Sequence, residues 1–393
     1  MLMPRFIMRP GHDRRLRAGH PWIFSNEIDR IDGIPNGGDA VAVFSSRGDC
    51  LGTAYYNPHS LIAGRLLSRR QESIDTVDFF HQRLAAALDY RRRLYGERTA
   101  LRLVHGEGDG LPGLVVDRYD SVLSIQLLTL GMERRRELIL QALCELLAPA
   151  AIVARNDVGV RELEGLPLGV ELLHGELPAE VVAEENGLFF RVDVTGGQKT
   201  GHFLDQKENH LALRGRVEGR RVLDLFCYSG SWAAHAARFG AREVIGVDIS
   251  AGALALAAEN ARRNDLQSIC SFQRADVFDL LRDWGKAGEK FDTVVLDPPA
   301  FVKSKKKLPE AIRGYLTINR RAMELVAPGG TLFTCSCSHH LQREVFLDLL
   351  RQAAAQAGRD ARLLELRGQS FDHPVLLACP ETDYLKCAVL QLP

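Results

Sequence analysis

The sequence predicts an α/β fold: a C-terminal parallel sheet with helices on both faces, preceded by a small β-rich domain and a middle α+β segment. The chain has 393 residues, more than one domain usually holds. From about Gly187 to the end, strand-like and helix-like runs alternate, which is typical of a doubly wound sheet. Near the N-terminus, turn residues break the chain into short apolar runs. We therefore expect three regions, at 1–73, 74–183 and 184–393.

The composition is that of an ordinary soluble protein. The 50 basic side chains balance 50 acidic ones, so the net charge indicates no partner. No apolar run approaches the ~20 residues of a membrane-spanning helix, and Met1 to Arg5 lacks the apolar core of a signal peptide. We therefore expect a cytoplasmic protein with no membrane partner. The 8 cysteines include no paired CxxC clusters, which favours reduced thiols over a disulfide or zinc framework.

The first region is predicted to be a small β-barrel with a basic leader. Residues 40–44 and 51–55 form strand-like runs between turn residues. The leader holds five arginines against one acid within 20 residues, which makes Arg14, Arg15 and Arg17 candidate RNA contacts. A solvated, flexible leader is the alternative explanation of this charge.

The middle region is predicted to contain a connector helix and a small α+β segment. Apolar side chains recur at helical spacing over about Val77–Tyr95, with arginines at exposed positions. Strand-like runs follow at 113–116, 121–128 and 151–154, with an amphipathic helix at 132–147. We recognise no chemical motif in this region.

Acidic side chains recur where the strands of the C-terminal region end. The predicted strands are 221–226, 243–248, 272–276, 291–297, 330–334, 363–366 and 385–390. Asp224 opens the loop of the first strand, and Asp248, Asp276 and Asp297 end the next three. A single such aspartate is more often a helix cap, but the carboxyl ends of parallel strands meet at one edge of a sheet. Four of them together predict a ligand site at that edge.

The loop after Asp224 indicates which ligand this edge binds. A dinucleotide needs a glycine-rich turn, typically GxGxxG, whereas only Gly230 stands in this turn. S-adenosylmethionine has no phosphate and carries positive sulfonium and amino groups, which suit carboxylates and backbone carbonyls. We therefore predict S-adenosylmethionine as the cofactor, with Asp248 on the ribose hydroxyls and Asp276 on the adenine amino group. A nicotinamide-dependent oxidoreductase is the alternative.

The fourth strand ends in Asp297, Pro298 and Pro299, which predicts a rigid turn beside the transferred methyl group. A turn that only terminates the strand is the alternative. The basic loop that follows lies on the substrate side of the crevice, where it predicts contacts to RNA phosphates, although charge runs are usually solvated. Its candidate RNA contacts are Lys303, Lys305, Lys306 and Lys307.

Two cysteines, Cys335 and Cys337, lie at the end of the fifth strand. A strand cysteine is normally a small buried apolar residue. The functional interpretation comes from cytosine chemistry, because carbon 5 is a poor nucleophile until a thiolate adds to carbon 6. Asp297 would stabilise the charge that develops on the ring. Zinc binding with His339 and His340 is the other use of these thiols, but the spacing fits no usual structural site, so we expect no metal.

Four motifs of this sequence resemble those of the RlmI-type methyltransferases. They are GQKTGHFLDQ (197–206), DLFCYSG (224–230), DPPAF (297–301) and CSCS (335–338), and the likeness covers nearly the whole chain. That family makes 5-methylcytosine in the RNA of the large ribosomal subunit. The resemblance therefore implies cytosine carbon 5 as methyl acceptor and ribosomal RNA, naked or partly assembled, as partner. The oligomeric state stays open, with a homodimer as one option.

The layout of that family agrees with the three regions predicted above. It consists of an N-terminal PUA domain, a small middle α+β domain and a C-terminal Rossmann-like class I methyltransferase domain. Residues 19–24 (GHPWIF) and 37–39 (GGD) are similar to the PUA pattern, which implies RNA binding by the first region.

The resemblance also implies a set of cofactor contacts. Asp224, Tyr228 and Gly230 would line the methionine end, while Thr200 and Phe203 would close over the cofactor. The whole implied set is Thr200, Phe203, Asp224, Phe226, Tyr228, Ser229, Gly230, Asp248, Ile249, Ser250, Asn264, Asp276, Val277, Asp297 and Pro298.

The nucleophile of the family corresponds best to Cys337, with Cys335 as the alternative. One departure is that Ala300 follows Pro299, where many other RNA cytosine methyltransferases have a second cysteine, so product release cannot use that thiol. Ribosomal RNA methyltransferases that modify guanine nitrogens also resemble this chain, but nitrogen transfer needs no thiol. A protein that only binds RNA through an inactive methyltransferase fold is a further alternative. The two cysteines favour the cytosine enzyme.

Overall fold

The computed structural model of the chain describes residues 3–301 and 308–393. The chain forms two compact units, each built from several segments. The first comprises Met1–Ala183, Val192–Leu204 and Phe371–Thr382, and the second comprises Glu184–Arg191, Asp205–Ser370 and Asp383–Pro393. Segments 192–204 and 371–382, which the sequence analysis includes in the C-terminal region, belong to the first unit. The domain boundaries at residues 73 and 183 stay a prediction.

The first unit begins with a mixed sheet of short strands. These strands are β1 (Arg5–Met8), β2 (Trp22–Ile23), β3 (Ile28–Asp32), β4 (Ala40–Phe44), β5 (Cys50–Tyr56) and β6 (Gly64–Ser68). Their order across the sheet is β2-β6-β5-β4-β1-β3. A one-turn helix, α1 (Arg14–Arg17), follows β1. Side chains such as Phe6, Val41 and Val43 fill the core of this sheet, which confirms the predicted β-rich start.

A second sheet in the first unit carries a long helix, α2 (Val77–Tyr95), as predicted. The Thr76 hydroxyl accepts the Phe79 N–H at the start of this helix, and Gly96 ends it at φ +67°. The strands of the sheet are β7 (Ala100–His105), β8 (Leu114–Tyr119), β9 (Val122–Leu127), β10 (Ala151–Arg155) and β11 (Val170–Gly175). Their order across the sheet is β11-β10-β9-β8-β7.

The helix predicted at 132–147 is in fact two helices, α3 (Leu130–Arg134) and α4 (Arg136–Leu147). Arg135 separates them with φ −100° and ψ 14°. Its buried guanidinium donates to the carbonyl oxygen of Gly38 at 2.8 Å. The sequence pattern misses this break because an arginine also suits the exposed face of a continuous helix.

Two short strands, β12 (Val182–Glu185) and β13 (Leu188–Arg191), come next in the chain, followed by the doubly wound sheet of the second unit. The strands of that sheet are β14 (Arg221–Leu225), β15 (Glu243–Asp248), β16 (Cys270–Arg274), β17 (Phe291–Leu296), β18 (Val326–Ser336), β19 (Arg362–Arg367) and β20 (Lys386–Leu392). The helices are α5 (Lys207–Leu211), α6 (Ser231–Arg238), α7 (Ala251–Arg263), α8 (Val277–Ala287), α9 (Leu308–Leu325) and α10 (Arg343–Gln356). Among the helices of 3–301 and 308–393, none is long and apolar enough to cross a membrane.

The strand order of this sheet is β16-β15-β14-β17-β18-β20-β19. Neighbours pair in parallel from β16 to β18, whereas β20 is antiparallel to both β18 and β19. This arrangement confirms the predicted α/β fold. The chain order reverses between β14 and β17, and ligands of open α/β sheets bind beyond the carboxyl ends of the strands at such a reversal. The fold therefore puts Asp224 and Asp297, from these two strands, at the expected crevice.

Each face of the sheet has its own hydrophobic core. Helices α9 and α10 bury Tyr315, Met323 and Phe346 on one face, and α6 buries Trp232 and Ala236 on the other. Burial of each large side chain contributes about 1.5–3 kcal/mol. The two cores thus fix the strands whose ends carry the candidate site.

The strands β16 and β18 differ most from their predicted bounds. Strand β16 ends at Arg274, so Asp276 lies two residues beyond the strand and begins a helix instead. Strand β18 begins at Val326 and not at Gly330. The predicted start is late because the sequence Pro328-Gly329-Gly330 is typical of a turn.

Candidate functional site

Asp224 is the most deeply buried carboxylate at the carboxyl ends of the strands. Its side chain is fully buried in β14, and Oδ2 accepts the N–H of Ala233 at 3.1 Å. Among the described residues, Oδ1 has no hydrogen-bond partner. Burial, together with the nearby carboxylates of Asp297 and Asp248, raises the pKa of Asp224 well above its ordinary value. A buried carboxylate oxygen without a partner is costly, so this position suits a ligand that brings a positive donor group.

The loop between β14 and α6 has an unusual backbone. Phe226 and Tyr228 have φ values of +62° and +46°, in the left-handed region that costs a non-glycine residue roughly 1–2 kcal/mol. Gly230 has φ +78°, and a Cβ there would lie 3.0 Å from the Cβ of Ala257. Such backbone conformations persist where the surrounding structure enforces them, and they cluster at ligand sites.

Asp248 ends β15 and is half-buried beside this loop. Its Oδ2 accepts the N–H of Tyr228 at 3.1 Å, and Oδ1 accepts the N–H of Ser250 at 2.9 Å. The next residue, Ile249, is 61% exposed, which is unusual for a large apolar side chain at a strand end. The carboxylate of Asp248 can accept hydrogen bonds from ribose hydroxyls. The exposed side chain of Ile249 beside it can contact the flat face of a base. The hydroxyl of Ser250 caps α7.

Asp276 does not end a strand as the sequence predicts. It is the N-cap of α8, where Oδ1 accepts the N–H groups of Phe278 at 2.8 Å and Asp279 at 3.2 Å. Aspartate is among the favoured N-cap residues because its oxygen satisfies the first amides of a helix. Val277, the first residue of α8, buries its side chain in the core. A contact of Asp276 with adenine stays a prediction.

Asn264 has a structural role that the sequence analysis misses. Its amide group donates to the carbonyl oxygens of Phe189 at 2.7 Å and Asn260 at 2.8 Å, and its oxygen accepts the Phe189 N–H at 2.8 Å. Asn260 in turn donates to the carbonyl of Ser229 at 3.0 Å. These bonds use the amide of Asn264 within the protein, and its contact with the cofactor stays a prediction.

Asp297 follows β17 directly and is held by two donors. Its Oδ2 accepts the side-chain amide of Gln206 at 2.9 Å and the indole N–H of Trp232 at 3.1 Å. Pro298 is buried behind it. The carboxylate therefore has a fixed orientation at the carboxyl end of the strand next to β14.

A buried polar cluster packs against the indole of Trp232. The imidazole of His210 packs edge-on against the indole, with 4.6 Å between ring centroids, and its Nδ1 bonds to Glu185 at 2.5 Å. His235 stacks on His210 and bonds through Nδ1 to the carbonyl of Ser231 at 2.8 Å. Ligand atoms of Glu185, His210 and His235 lie within 4.8 Å of one another, as in a metal site. His210 bonds to the Glu185 carboxylate, and Nε2 of His235 lies 3.6 Å from the same carboxylate oxygen, so the three side chains already contact one another.

Cys335 is a core residue of β18. It is fully buried among apolar side chains, and its partner in the antiparallel register is Cys387 on β20. Burial and the hydrogen bond with Cys387 raise the pKa of Cys335 well above the ordinary value of a thiol. A thiol in this state is a poor nucleophile at neutral pH.

Cys337 has a different environment, one residue beyond β18. It is half-buried and stands between two serines whose hydroxyls, on Ser336 and Ser338, both bond to the hydroxyl of Tyr315 at 3.1 Å. Burial raises the pKa of Tyr315, so its hydroxyl stays neutral. The loop that carries Cys337 is thus fixed from α9.

Two of the predicted cofactor contacts, Thr200 and Phe203, belong to the first unit. The hydroxyl of Thr200 bonds to the buried carboxylate of Asp117, and the ammonium of Lys199 lies over the Phe203 ring, 4.4 Å from its centroid. Their contact with the cofactor stays a prediction.

The predicted leader contacts with RNA are all exposed on or beside α1: Arg14, Arg15 and Arg17. Arg17 already forms salt bridges with two carboxylates, Asp13 at 2.6 Å and Asp49 at 2.5 Å. The predicted contacts of the basic loop lie outside the described residues: Lys303, Lys305, Lys306 and Lys307.

Sequence reasoning misses three residues of this site: Gln206, Trp232 and Tyr315. Gln206 lies in the quoted segment 197–206, but no role follows from its residue type. Trp232 could have been found from its place in the first turn of α6, directly after the loop between β14 and α6. Tyr315 has no such signal, because its separation from Cys337 along the chain hides their proximity.

The comparisons with known proteins agree with this geometry. The sequence profile of the family described as S-adenosylmethionine-dependent methyltransferase matches residues 101–365, and that of the PUA-like domain matches residues 6–69. The relatives include "Ribosomal RNA large subunit methyltransferase I" of Aeromonas hydrophila, 44% identical over 386 residues and 97% of each chain. The protein of the same name from Shewanella amazonensis is 43% identical over 99% of each chain.

Two solved structures share the fold. SMU.776, a methyltransferase crystallised with SAH, superposes with a TM-score of 0.86 at 21% identity, over 99% of this chain and 100% of its own. A SAM-dependent methyltransferase from Streptococcus mutans gives a TM-score of 0.84 at 22% identity, with the same coverage. The chain therefore belongs to the S-adenosylmethionine-dependent methyltransferases, with S-adenosylmethionine as its methyl donor.

Proposed function

We propose that the protein methylates carbon 5 of a cytosine in the RNA of the large ribosomal subunit, through a covalent bond between Cys337 and the base. One observation carries this proposal: Cys337 lies just outside the sheet core, at the end of the strand next to the one that carries Asp297. The names of the relatives support ribosomal RNA as substrate. The PUA-like match supports an RNA-binding first region.

The residues of the β14 and β15 ends are suited to hold the cofactor. The unpartnered oxygen of Asp224 would accept from its positive amino group, and Asp248 from its ribose hydroxyls. Ile249 would cover one face of the adenine. When bound, S-adenosylmethionine supplies an electrophilic methyl group to carbon 5 of the cytosine.

The need for a thiol follows from the chemistry of the base. Cys337, as thiolate, adds to carbon 6, the double bond between carbons 5 and 6 becomes a nucleophilic enamine, and carbon 5 takes up the methyl group. Carbon 5 then loses its proton to a base, the double bond re-forms, and the bond between carbon 6 and sulfur breaks. Cys335 cannot take this role, because it is fully buried in the core.

Asp297 would act on the opposite edge of the ring. Its carboxylate, held by Gln206 and Trp232, can share a proton with ring nitrogen 3 and stabilise the charge that develops when the thiolate adds. This stabilisation needs a fixed carboxylate, which the two donors provide.

The test uses ribosomal RNA, S-adenosylmethionine with a labelled methyl group, and mass analysis of the nucleosides. We expect labelled 5-methylcytosine with the native protein and with Cys335→Ser, but none with Cys337→Ser. The two variants are matched because they make the same atomic change two residues apart. Label on a guanine nitrogen, or full activity of both variants, would remove the proposal in favour of nitrogen methylation.

A further inference from the structure

Lys386, the first residue of β20, is a buried lysine that the mechanism above does not use. Its side chain is only 2% exposed, and Nζ donates to the carbonyl oxygens of Ser338 at 2.7 Å and Tyr384 at 2.8 Å. In the described part of the chain, both hydrogen-bond acceptors of this ammonium are thus neutral. Burying a cation is costly unless an anion lies near, so the position calls for a negative partner.

The strand register points to that partner. Lys386 pairs directly with Ser336 across the antiparallel β18 and β20, and its Nζ reaches the carbonyl of Ser338. Cys337 is the residue between these two serines. The lysine side chain therefore contacts the backbone segment that carries the thiol. Tyr315 bonds to the two serine hydroxyls of this segment, whereas Lys386 bonds to one of its backbone carbonyls.

Among the residues that the structure describes, no salt bridge joins Lys386 to a carboxylate. Negative charge on Asp383 acts on Lys386, but Arg343 binds both oxygens of this carboxylate at 2.9 Å. Burial, with a smaller contribution from Arg343, lowers the pKa of Lys386 to about 8, while negative charge on Cys337 and Asp383 opposes this change. The ring of His339 packs on Tyr384, with 5.3 Å between the ring centroids. Lys386 is therefore still mostly charged at pH 7.

We propose that the Lys386 ammonium is the counter-ion of the Cys337 thiolate and positions its loop for attack. The thiol gives its proton to solvent, and the ammonium keeps its own protons, so Lys386 acts as a positioning residue and not as the base. A thiolate next to a fixed cation is present in a larger fraction at neutral pH, as for other reactive cysteines. The role of this ion pair in catalysis rests on the proposed function, whereas the ion pair between Lys386 and Cys337 does not depend on it.

The test measures alkylation of Cys337 by iodoacetamide against pH in the full chain without RNA, with peptide mass analysis. The exposed Cys50 is an internal reference in the same molecule. We expect Cys337 to become reactive at lower pH than Cys50 in the native protein. In Lys386→Met, alkylation of Cys337 at pH 7 should fall about tenfold while that of Cys50 is unchanged. Lys386→Arg, which keeps the charge, should retain most of the rate.

Two results would overturn the inference. The first is that Cys337 of the native protein becomes reactive at no lower pH than Cys50. The second is that the alkylation rate of Cys337 is unchanged in a Lys386→Met protein that still binds S-adenosylmethionine. The first comparison needs no variant, so it decides the question even if Lys386→Met does not fold. Failure of the proposed function is separate. It would show as 5-methylcytosine formation by Cys337→Ser, which leaves the alkylation result intact.

Discussion

The indole N–H of Trp232 donates to Oδ2 of Asp297 at 3.1 Å. This bond joins the first turn of α6 to the residue after β17, and β15, α7, β16 and α8 lie between the two along the chain. The amide of Gln206 bonds to the same oxygen at 2.9 Å. The orientation of the Asp297 carboxylate is thus set by two residues whose own positions depend on the core under the sheet.

Replacing Trp232 by Phe should test this relationship. The change keeps an aromatic ring over His210 but removes the N–H, and a hydrogen bond to a charged group contributes about 1.5–3 kcal/mol. We expect kcat to fall at least about tenfold, with unchanged affinity for S-adenosylmethionine. Single-turnover kinetics and calorimetry measure the two effects. Equal losses in kcat and in affinity for S-adenosylmethionine would show that Trp232 only stabilises the loop between β14 and α6.

The pKa of Asp224 predicts how cofactor binding depends on pH. The pKa is raised well above its ordinary value, so the carboxyl gains a proton at a higher pH than an exposed aspartate does. A positive cofactor amino group needs the carboxylate. Affinity for S-adenosylmethionine should therefore fall as the pH is lowered through this pKa, by up to about tenfold per pH unit.

Calorimetry over the whole pH range in which the protein stays folded checks this dependence, with Asp224→Asn as control. The variant should bind more weakly at high pH and lose most of the pH dependence. A native affinity that is constant over this range would contradict the assignment of Asp224 to the amino group.

Tyr315 should matter for the Cys337 loop more than for the cofactor. Tyr315→Phe removes the hydroxyl that bonds to Ser336 and Ser338, so each of the two serine hydroxyls loses one hydrogen bond. We expect a loss of about 1–3 kcal/mol in the free energy of unfolding and a lower kcat. Denaturant unfolding and kinetics measure both. Ser338→Ala breaks one of the two bonds and should have a smaller effect; an equal or larger one would show that Tyr315 is not the anchor.

The leader arginines should differ in their contribution to RNA binding. Arg17 is paired with Asp13 and Asp49, whereas Arg14 is exposed without such a pair among the described salt bridges. If the leader contacts phosphates, Arg14→Ala should reduce the slope of log affinity against log salt by about 1, and Arg17→Ala by less. Filter binding at several salt concentrations measures the slopes. Unchanged slopes in both variants would place the RNA elsewhere.

Much of this site could be predicted from the sequence because it depends on local patterns. The strand-end position of Asp248 and the turn at Asp297 follow from hydrophobic runs that stop at a carboxylate. The cap at Asp276 shows the limit of this reasoning. An aspartate just after a strand and one that begins the next helix look alike in sequence, and only the end of β16 at Arg274 separates them.

The remaining part depends on contacts between distant segments. Lys386 and Ser338 are 48 residues apart and meet through the antiparallel pairing of the last strand with β18, which no local pattern specifies. The choice between Cys335 and Cys337 has the same origin. Both lie at the end of one strand, and the core on the β20 side buries the first and not the second.

The most direct measurement of the central claim uses RNA that contains 5-fluorocytidine in place of cytidine. Fluorine at carbon 5 cannot leave as a proton does, so an enzyme that forms a sulfur–carbon 6 bond stays attached to the methylated base. We predict a denaturation-resistant complex of protein and RNA that needs S-adenosylmethionine, with the RNA attached to Cys337. An enzyme that methylates cytosine without forming this complex, or a complex that survives Cys337→Ser, would contradict the account.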